Sequence, residues 1–144
     1  MDNKKEDLTP KEYSAILKQV SLESILFTKY NVKSARHLVG SDMNIAVKYD
    51  TSFEIDPDNS KIATVKIDYR LTVYKEKKSE YALLVTCELI SVLNSEKDFS
   101  EKFLKIYKMV NLNHNTWPYF RSFVQDAANR VGIPPLTLPF YYKP

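Results

Sequence analysis

The side chains best suited to metal binding or nucleophilic chemistry are few in this chain, and they lie far apart in the sequence. It has two histidines and one cysteine, which are His37, His114 and Cys87. A zinc site needs about four such ligands brought together, usually at short spacing. These residues instead fall on a predicted loop, a predicted helix break and a predicted strand. The pattern favours no metal site, and it predicts that Cys87 is a small buried residue with no reactive role.

Two further groups of residues carry side chains of the types used in catalysis or cation binding. Asp56 and Asp58 lie close together, but the fixed calcium-loop pattern that ends in glutamate is missing, so they are predicted to form a turn. His114 and Ser122 lack an orienting acid and an oxyanion motif. No glycine-rich phosphate motif is present, because the chain contains only 2 glycines. We therefore predict a protein that is not an enzyme and that needs no cofactor.

Length and composition indicate one ordinary globular domain. With 144 residues, of which 44% are hydrophobic and 27% charged, the chain is large enough for one core. No apolar run approaches the ~18 residues of a membrane-spanning helix, and Met1 does not begin a signal-peptide pattern. The expected location is therefore the cytoplasm, with no membrane partner. The net charge of +3 is small and bases are interspersed with acids, so nucleic acid is not expected as a partner.

The elements that carry these residues can be placed from capping signals and hydrophobic periodicity. Thr9 and Glu12 form a capping box that predicts a short amphipathic helix. A bulge is expected near Ser24, and a crossover loop over residues 31–43. Strands are predicted at 20–29, 45–55, 65–73 and 80–93. The result is a single predicted domain, residues 1–144, with a helix at about 10–19, a sheet at about 20–93, and helices with an extended C-terminal strip at about 98–144.

The C-terminal part of the chain contains signals for two helices and the extended strip. Asp98 and Glu101 are predicted to cap the first helix. The pattern is interrupted over 111–116, and Pro118 disfavours a regular helix interior, so either a new helix begins there or one helix is kinked. Gly132 supplies a left-handed helix end, and the two prolines that follow prevent the helix from continuing.

The strand at 80–93 carries apolar residues on both of its faces. This pattern predicts that both faces are at least partly covered. Short turns join the last three strands, so we expect an antiparallel meander. The few predicted helices cannot cover both faces of the sheet within one subunit. We therefore expect a partner subunit to supply the remaining cover.

Three segments resemble the SecB family of protein-export chaperones. WPYFR at 117–121 and GIPPLTL at 132–138 are similar to the family's aromatic-Pro-Tyr-x-Arg and Pro-x-Leu-x-Leu segments at matching separation. SILF at 24–27 is similar to the opening strand of the family. The resemblance covers roughly residues 20–140. It implies an α+β fold, with a four-stranded antiparallel sheet and helices on one face.

The resemblance also implies a function. Members of the family are ATP-independent holdases, which bind unfolded or extended polypeptides in hydrophobic grooves and assemble as dimers of dimers. Burial of apolar surface contributes roughly 25 cal/mol for each Å², so such a groove accepts many sequences. The residues predicted to contact clients are Trp117, Tyr119, Leu136, Leu138, Phe140 and Tyr141, with Leu38, Val39 and Met43 as weaker candidates. Phe120, Phe123 and Val124 are instead predicted to lie in the core.

Two departures from the family pattern bear on the partners of this protein. Ser24 and Thr28 stand where export-type members carry acidic residues that dock to the motor SecA, and the sequence stops at Pro144, where those members continue into another helix. Docking to SecA is therefore doubtful. The alternative function is a specific partner-binding module, such as a dedicated antitoxin chaperone or an adaptor. Trp117 and Tyr119 could also contact a neighbouring subunit or the C-terminal strip instead of a client.

Overall fold

Long antiparallel strands form the sheet of this protein. The computed structural model describes residues 7–134, 136 and 138. Within them the strands are β1 (Val20–Ser34), β2 (Asn44–Ile55), β3 (Ile62–Tyr74) and β4 (Tyr81–Ser95), in the spatial order β1-β4-β3-β2. The helices are α1 (Pro10–Leu17), α2 (Glu101–Val110) and α3 (Leu112–Arg130). The predicted α+β fold, a four-stranded antiparallel sheet with helices on one face, is confirmed.

Short turns join β2, β3 and β4 into the predicted meander. In the β2–β3 turn, Oδ1 of Asp56 accepts a hydrogen bond from the Asp58 amide at 2.8 Å. Oδ1 of Asn59 accepts another from the Lys61 amide at 3.1 Å. Side chains that accept from the backbone two residues ahead stabilise turns of this kind. Asp56 and Asp58 are therefore turn-forming residues, as their spacing predicted.

The first strand is longer than the sequence indicated. β1 pairs with β4 along its length, with register shifts between Leu22 and Ser24 and between Phe27 and Lys29. The bulge expected near Ser24 is confirmed. The crossover loop begins later than predicted, after Ser34, because backbone pairing with β4 continues through a polar stretch. That stretch lacks the apolar and polar alternation from which strands are recognised. Its pairing with β4 nevertheless outweighs the weak local preference for a strand.

The core lies between one face of the sheet and the helices α2 and α3. The odd-numbered residues of β3 from Ala63 to Val73 are at most 1% exposed, and they share a face because side chains alternate along a strand. The ring of Tyr69 stacks on Phe120 with 4.3 Å between centroids. Trp117 contacts these rings at 5.9 and 5.6 Å, respectively. The three aromatic rings thus attach α3 to β3.

A buried polar network accompanies this aromatic contact. The Tyr69 hydroxyl donates to Oδ1 of Asn113 at 2.6 Å and lies 2.8 Å from the Thr116 hydroxyl. Thr116 in turn donates to the Leu112 carbonyl at 2.8 Å. Burial raises the pKa of Tyr69, so this hydroxyl keeps its proton at neutral pH. Because buried polar groups need partners, the network fixes the first turns of α3 against β3.

Helix α3 begins at Leu112 and continues through Pro118. Of the two predicted alternatives, a helix that begins at Pro118 is therefore wrong, and Asn111 alone separates α2 from α3. Proline removes one backbone donor and disfavours a helix interior. The residues before it nevertheless gain the packing of Trp117 and the hydrogen bonds of Thr116. These tertiary contacts extend the helix beyond the limit that propensity indicates.

The other two helices are capped by hydroxyl groups. At α1, Oγ1 of Thr9 accepts a hydrogen bond from the Glu12 amide at 3.1 Å, as predicted. At α2 the cap is Ser100, whose Oγ accepts from a backbone amide of the first turn at 3.2 Å. The predicted cap, Asp98, is wrong, because its carboxylate instead accepts from the Ser60 hydroxyl at 2.6 Å. Both residue types suit an N-cap, so local preference could not decide between them.

Tyr13 holds α1 against the rest of the domain. It is the buried residue of that helix, and its ring stacks on Phe103 of α2 with 5.1 Å between centroids. Its hydroxyl donates to Oδ1 of Asn111. Within the part of the chain that the structure describes, no helix combines the length and apolarity that crossing a membrane requires.

Candidate peptide-binding surface

Several large apolar side chains remain exposed on the folded chain. Isolated exposed apolar residues are common, whereas groups of them mark contact surfaces. The exposed residues are Leu22, Leu26 and Tyr30 on β1, Ile45 on β2, Met109 and Val110 at the end of α2, and Tyr119 on α3. The largest group thus lies on a single strand, β1.

Strand β1 forms one edge of the sheet. It pairs with β4 on one side, and on the other side no strand lies beside it among the described residues. A long edge strand presents a row of backbone donors and acceptors that can pair with another chain. Leu26 and Tyr30 flank this row, and Tyr30 is 67% exposed. The edge therefore offers both backbone pairing and apolar contact.

An aromatic cluster lies where α3 crosses β1. The ring of Phe123 is 5.4 Å from that of Phe27 and 5.3 Å from that of Tyr30, measured between centroids. Phe123 was predicted to lie in the core, but it is only half-buried and packs against the core from its margin. Sequence reasoning missed Tyr30, because it assigned the segment that follows it to a loop. Its aromatic character beside a strand was the available signal.

The crossover segment, residues 35–43, lies between β1 and β2. The Ala35 amide donates to the Ala82 carbonyl at 2.9 Å, and a short 3-10 helix, Arg36–Leu38, follows. Leu38, Val39 and Met43 are half-buried, and the last two pack against the core. The predicted contact residues of this segment thus combine attachment to the domain with a partly accessible apolar surface.

The crossover segment meets the end of α3 at Gly132. This glycine has φ of 72°, and a Cβ built on it would lie 3.6 Å from Cζ of Arg36. The Ile133 amide donates to the Ala128 carbonyl at 2.9 Å, which closes the helix in the manner of a left-handed cap. A cation near a helix C-terminus is favourable, because the last carbonyls carry partial negative charge. Arg36 therefore links the crossover segment to the start of the C-terminal strip.

The described part of the C-terminal strip packs against the domain. Ile133 and Leu138 are buried in the core cluster, with 6% and 5% of their surfaces exposed. Leu136 is half-buried and packs against the same cluster. Leu136 is therefore partly accessible at the surface, whereas Leu138 is covered by the domain.

The residues predicted to contact clients thus lie in different environments. Trp117 is fully buried, so its expected location at the surface is wrong. With α3 beginning at Leu112, Trp117 falls on the same helix face as Phe120 and Val124, which points toward the sheet. Tyr119 lies at the surface and is 48% exposed. The predictions for Phe140 and Tyr141 lie outside the described residues.

The chemistry-bearing residues do not converge in the described part of the chain. Among residues 7–134, 136 and 138, no group of three or more His, Cys, Asp and Glu side chains is placed to hold a metal ion. Cys87 is buried, as predicted, and burial raises the pKa of its thiol to about 12. Since the thiolate is the reactive form, this cysteine is chemically inert at neutral pH.

Comparison with solved structures identifies the fold. The chain matches a SecB-like chaperone of Mycobacterium tuberculosis, solved in complex with a ChAD peptide from the HigA1 antitoxin. The TM-score is 0.76 at 19% sequence identity, over 92% of this chain and 98% of that chain. The chain therefore has the fold of SecB-like chaperones, and the structural resemblance predicted from its sequence is confirmed.

Other comparisons add little to this result. A protein of unknown function from Streptococcus agalactiae matches with a TM-score of 0.49 and 10% identity, over 84% of this chain and 97% of that chain. That similarity is too low to support a conclusion. No protein-family model matches the chain, and no curated protein matches it.

Proposed function

We propose that this protein is a chaperone that holds extended segments of other polypeptides without using ATP. The observation that carries the proposal is the SecB-like fold, combined with apolar side chains left accessible along the crossover segment and the strip. The structural neighbour was solved with a peptide bound, which supports a polypeptide as the ligand. The described residues contain no assembled metal site, and we assign the protein no catalytic role and place it in the cytoplasm.

The proposed client surface comprises Leu38, Val39 and Met43 of the crossover segment together with Leu136 and Tyr119. These side chains are half-buried or exposed, so a client can cover them without unfolding the domain. Covering apolar area contributes roughly 25 cal/mol for each Å², which favours apolar and aromatic client segments. Leu138 is retained as a contact that a client reaches once the strip is released, and Phe140 and Tyr141 are retained as proposed client contacts. Trp117 is no longer proposed, because it belongs to the core.

The proposed assembly is a dimer, two of which stack into a tetramer. Pairing of β1 edges from two copies would satisfy the outer backbone groups of both strands and cover Leu26 and Tyr30. Natural proteins rarely leave a long apolar edge strand open. Two apolar residues of β4 support the same view. Ile90 and Val92 lie on the face of the sheet opposite the helices, and they are only half-buried in one subunit. A second copy paired along β1 would bury them further, because β1 lies beside β4 at both positions.

The test of the holdase function measures aggregation of a chemically unfolded client by light scattering at equimolar protein. We expect the protein to suppress aggregation, and we expect the double variant L38S/V39S to protect less, because both substitutions remove apolar contact area. Met109→Ser is the matched control, since Met109 is 75% exposed but lies outside the proposed surface. Unchanged aggregation with the unmodified protein would contradict the proposal.

The second candidate function is that of a chaperone dedicated to one partner, such as an antitoxin. It is favoured by the structural neighbour, whose bound peptide comes from an antitoxin. The hydroxyl residues Ser24 and Thr28 also favour it over docking to SecA, and Thr28 already donates to Oε1 of Glu88 at 2.8 Å. Protection assays with several unrelated unfolded clients distinguish the two functions. A general holdase protects most of them, whereas a dedicated chaperone protects its partner alone.

A further inference from the structure

The sheet face opposite the helices carries a pocket lined mainly by cations. Its volume is about 270 Å³. It is lined by Ala46 and Lys48 from β2, Arg70 and Thr72 from β3, and Lys78 and Ser79 from the β3–β4 turn. The lining therefore combines three cationic side chains with two hydroxyl groups, and it includes no acidic residue.

The cationic side chains of this pocket lie close to one another. Lys48 and Arg70 are directly opposite in the register of β2 and β3, a position in which like charges are destabilising. Lys78 adds a third positive charge from the turn. Within the described chain, none of the three forms an ion pair with a carboxylate. Lys48 and Arg70 also line an adjacent, larger depression with Asp50, Asp68 and Glu88, which offset part of their charge. An anion in the pocket would relieve the repulsion that remains between the three cations.

Two acids of the same sheet face form ion pairs with another lysine. The side chain of Lys66 lies 3.9 Å from a carboxylate oxygen of Asp68 and 3.7 Å from one of Glu88. Thr28 donates a further hydrogen bond to Glu88. A lysine on this face can therefore form ion pairs with neighbouring acids, as Lys66 does. Unlike Lys66, Lys48 and Arg70 form no such ion pair in the described chain, although both line a depression that they share with Asp68 and Glu88.

We propose that the pocket binds a phosphoryl-type oxyanion. A single carboxylate would form its hydrogen bonds with the planar guanidinium of Arg70 alone, which would leave both lysines without an anionic partner. A tetrahedral dianion presents oxygens in several directions and carries more charge, so it can engage Arg70, Lys48 and Lys78 together. Thr72, at 6% exposure, lines the same pocket and can donate a hydrogen bond from its hydroxyl. The site is separate from the proposed client surface and does not depend on it.

Two sources can supply this chemistry, a free phosphate compound or a phosphorylated side chain of a bound polypeptide. Isothermal titration with inorganic pyrophosphate and with a short phosphoserine peptide, at constant ionic strength, separates them. The unphosphorylated peptide is the blank for the second arm. Saturable binding in either arm supports the site and identifies its source, and absence of saturable binding in both arms overturns the proposal.

Matched variants distinguish a site from general charge attraction. Arg70→Gln and Lys66→Gln each remove one positive charge from the same exposed sheet face, so they change the net charge equally. We expect R70Q to weaken anion binding by about tenfold, since charge-assisted bidentate hydrogen bonds are lost, and K66Q to retain binding within about twofold. Equal weakening by both variants would show non-specific attraction and would overturn the proposal. Circular dichroism confirms that each variant is folded.

Discussion

The guanidinium of Arg36 lies against Gly132, with Cζ 3.6 Å from the position that a Cβ on this glycine would occupy. The first residue belongs to the crossover segment, and the second ends α3. Because Gly132 has φ of 72°, it directs the chain away from the helix and back toward the core, where Ile133 is buried. This contact thus joins two segments of the proposed client surface.

Gly132→Ala should destabilise the protein by about 1 kcal/mol, because a residue with a Cβ disfavours the left-handed conformation. The methyl group itself would make only ordinary contact with Arg36, so sterics contribute little. Gly40→Ala is the control, since no atom lies within 4 Å of the added carbon and φ is not positive there. Urea unfolding midpoints at constant m-value measure both changes. An equal effect of the two substitutions would contradict this account of Gly132.

Tyr69→Phe should destabilise the protein by about 1–3 kcal/mol, because it removes a hydroxyl that bonds Asn113 and Thr116 in the buried interior. The ring and its stacking on Phe120 are retained. Tyr119→Phe serves as the control, because Tyr119 is half exposed and water can replace its contacts. We expect the control to change stability by less than about 0.5 kcal/mol. A thermal or urea unfolding series would show the difference.

Binding of a client should expose Leu138, if the strip is released as proposed. In the variant Leu138→Cys the introduced thiol replaces a side chain that is 5% exposed, so it should react slowly with an alkylating reagent in the free protein. We expect client addition to accelerate its labelling. An unchanged rate would contradict release of the strip, whereas a slower rate would show that the client covers position 138 and that this residue is not exposed on binding.

The native Cys87 supplies the internal control for this labelling experiment. Burial raises the pKa of its thiol to about 12, so the thiolate is scarce at neutral pH and labelling should be negligible there. Labelling should become appreciable only at strongly alkaline pH or as the protein unfolds. Faster labelling of both cysteines with client would therefore indicate global opening of the domain.

Leu26→Glu should disrupt the proposed pairing of β1 edges, because it places a charge on an apolar edge position. We expect a lower assembly mass, measured by light scattering coupled to size exclusion. Leu26 is already half exposed, so the subunit should lose less than about 0.5 kcal/mol of stability. Ile45→Glu, on the opposite sheet edge, is the control and should leave the mass unchanged. Unaltered mass in L26E would contradict assembly through β1.

Patterns of neighbouring residues predicted most of the secondary structure. The alternation along β2 and β3, the turn at Asp56 and Asp58, and the cap at Thr9 all depend on interactions within a few residues. The limits of β1 and α3 were predicted less well. β1 continues to Ser34 because β4 lies beside it, and that partner is distant in the sequence.

The residues of the proposed client surface were likewise only partly predictable from the sequence. Tyr119 lies at the surface, but Trp117, two residues earlier, is completely buried. The aromatic and proline pattern around both residues could not separate them, because the helix start that sets their orientation is six residues before Pro118. The contact of Arg36 with Gly132 and the cationic pocket at Arg70 were likewise missed. Each joins residues from different elements.

The sequence by itself determined the order of elements, the apolar face of each strand and the resemblance to SecB-like proteins. The order and the faces follow from side-chain periodicity and turn chemistry, which act over a few residues, whereas the resemblance rests on three short segments of sequence. Only the tertiary structure decided where α3 begins, that Trp117 and Leu138 are buried, and that Lys48, Arg70 and Lys78 share a pocket. The physical reason is that burial and charge proximity depend on packing between segments far apart in the chain, where the free energy of many contacts outweighs local preference.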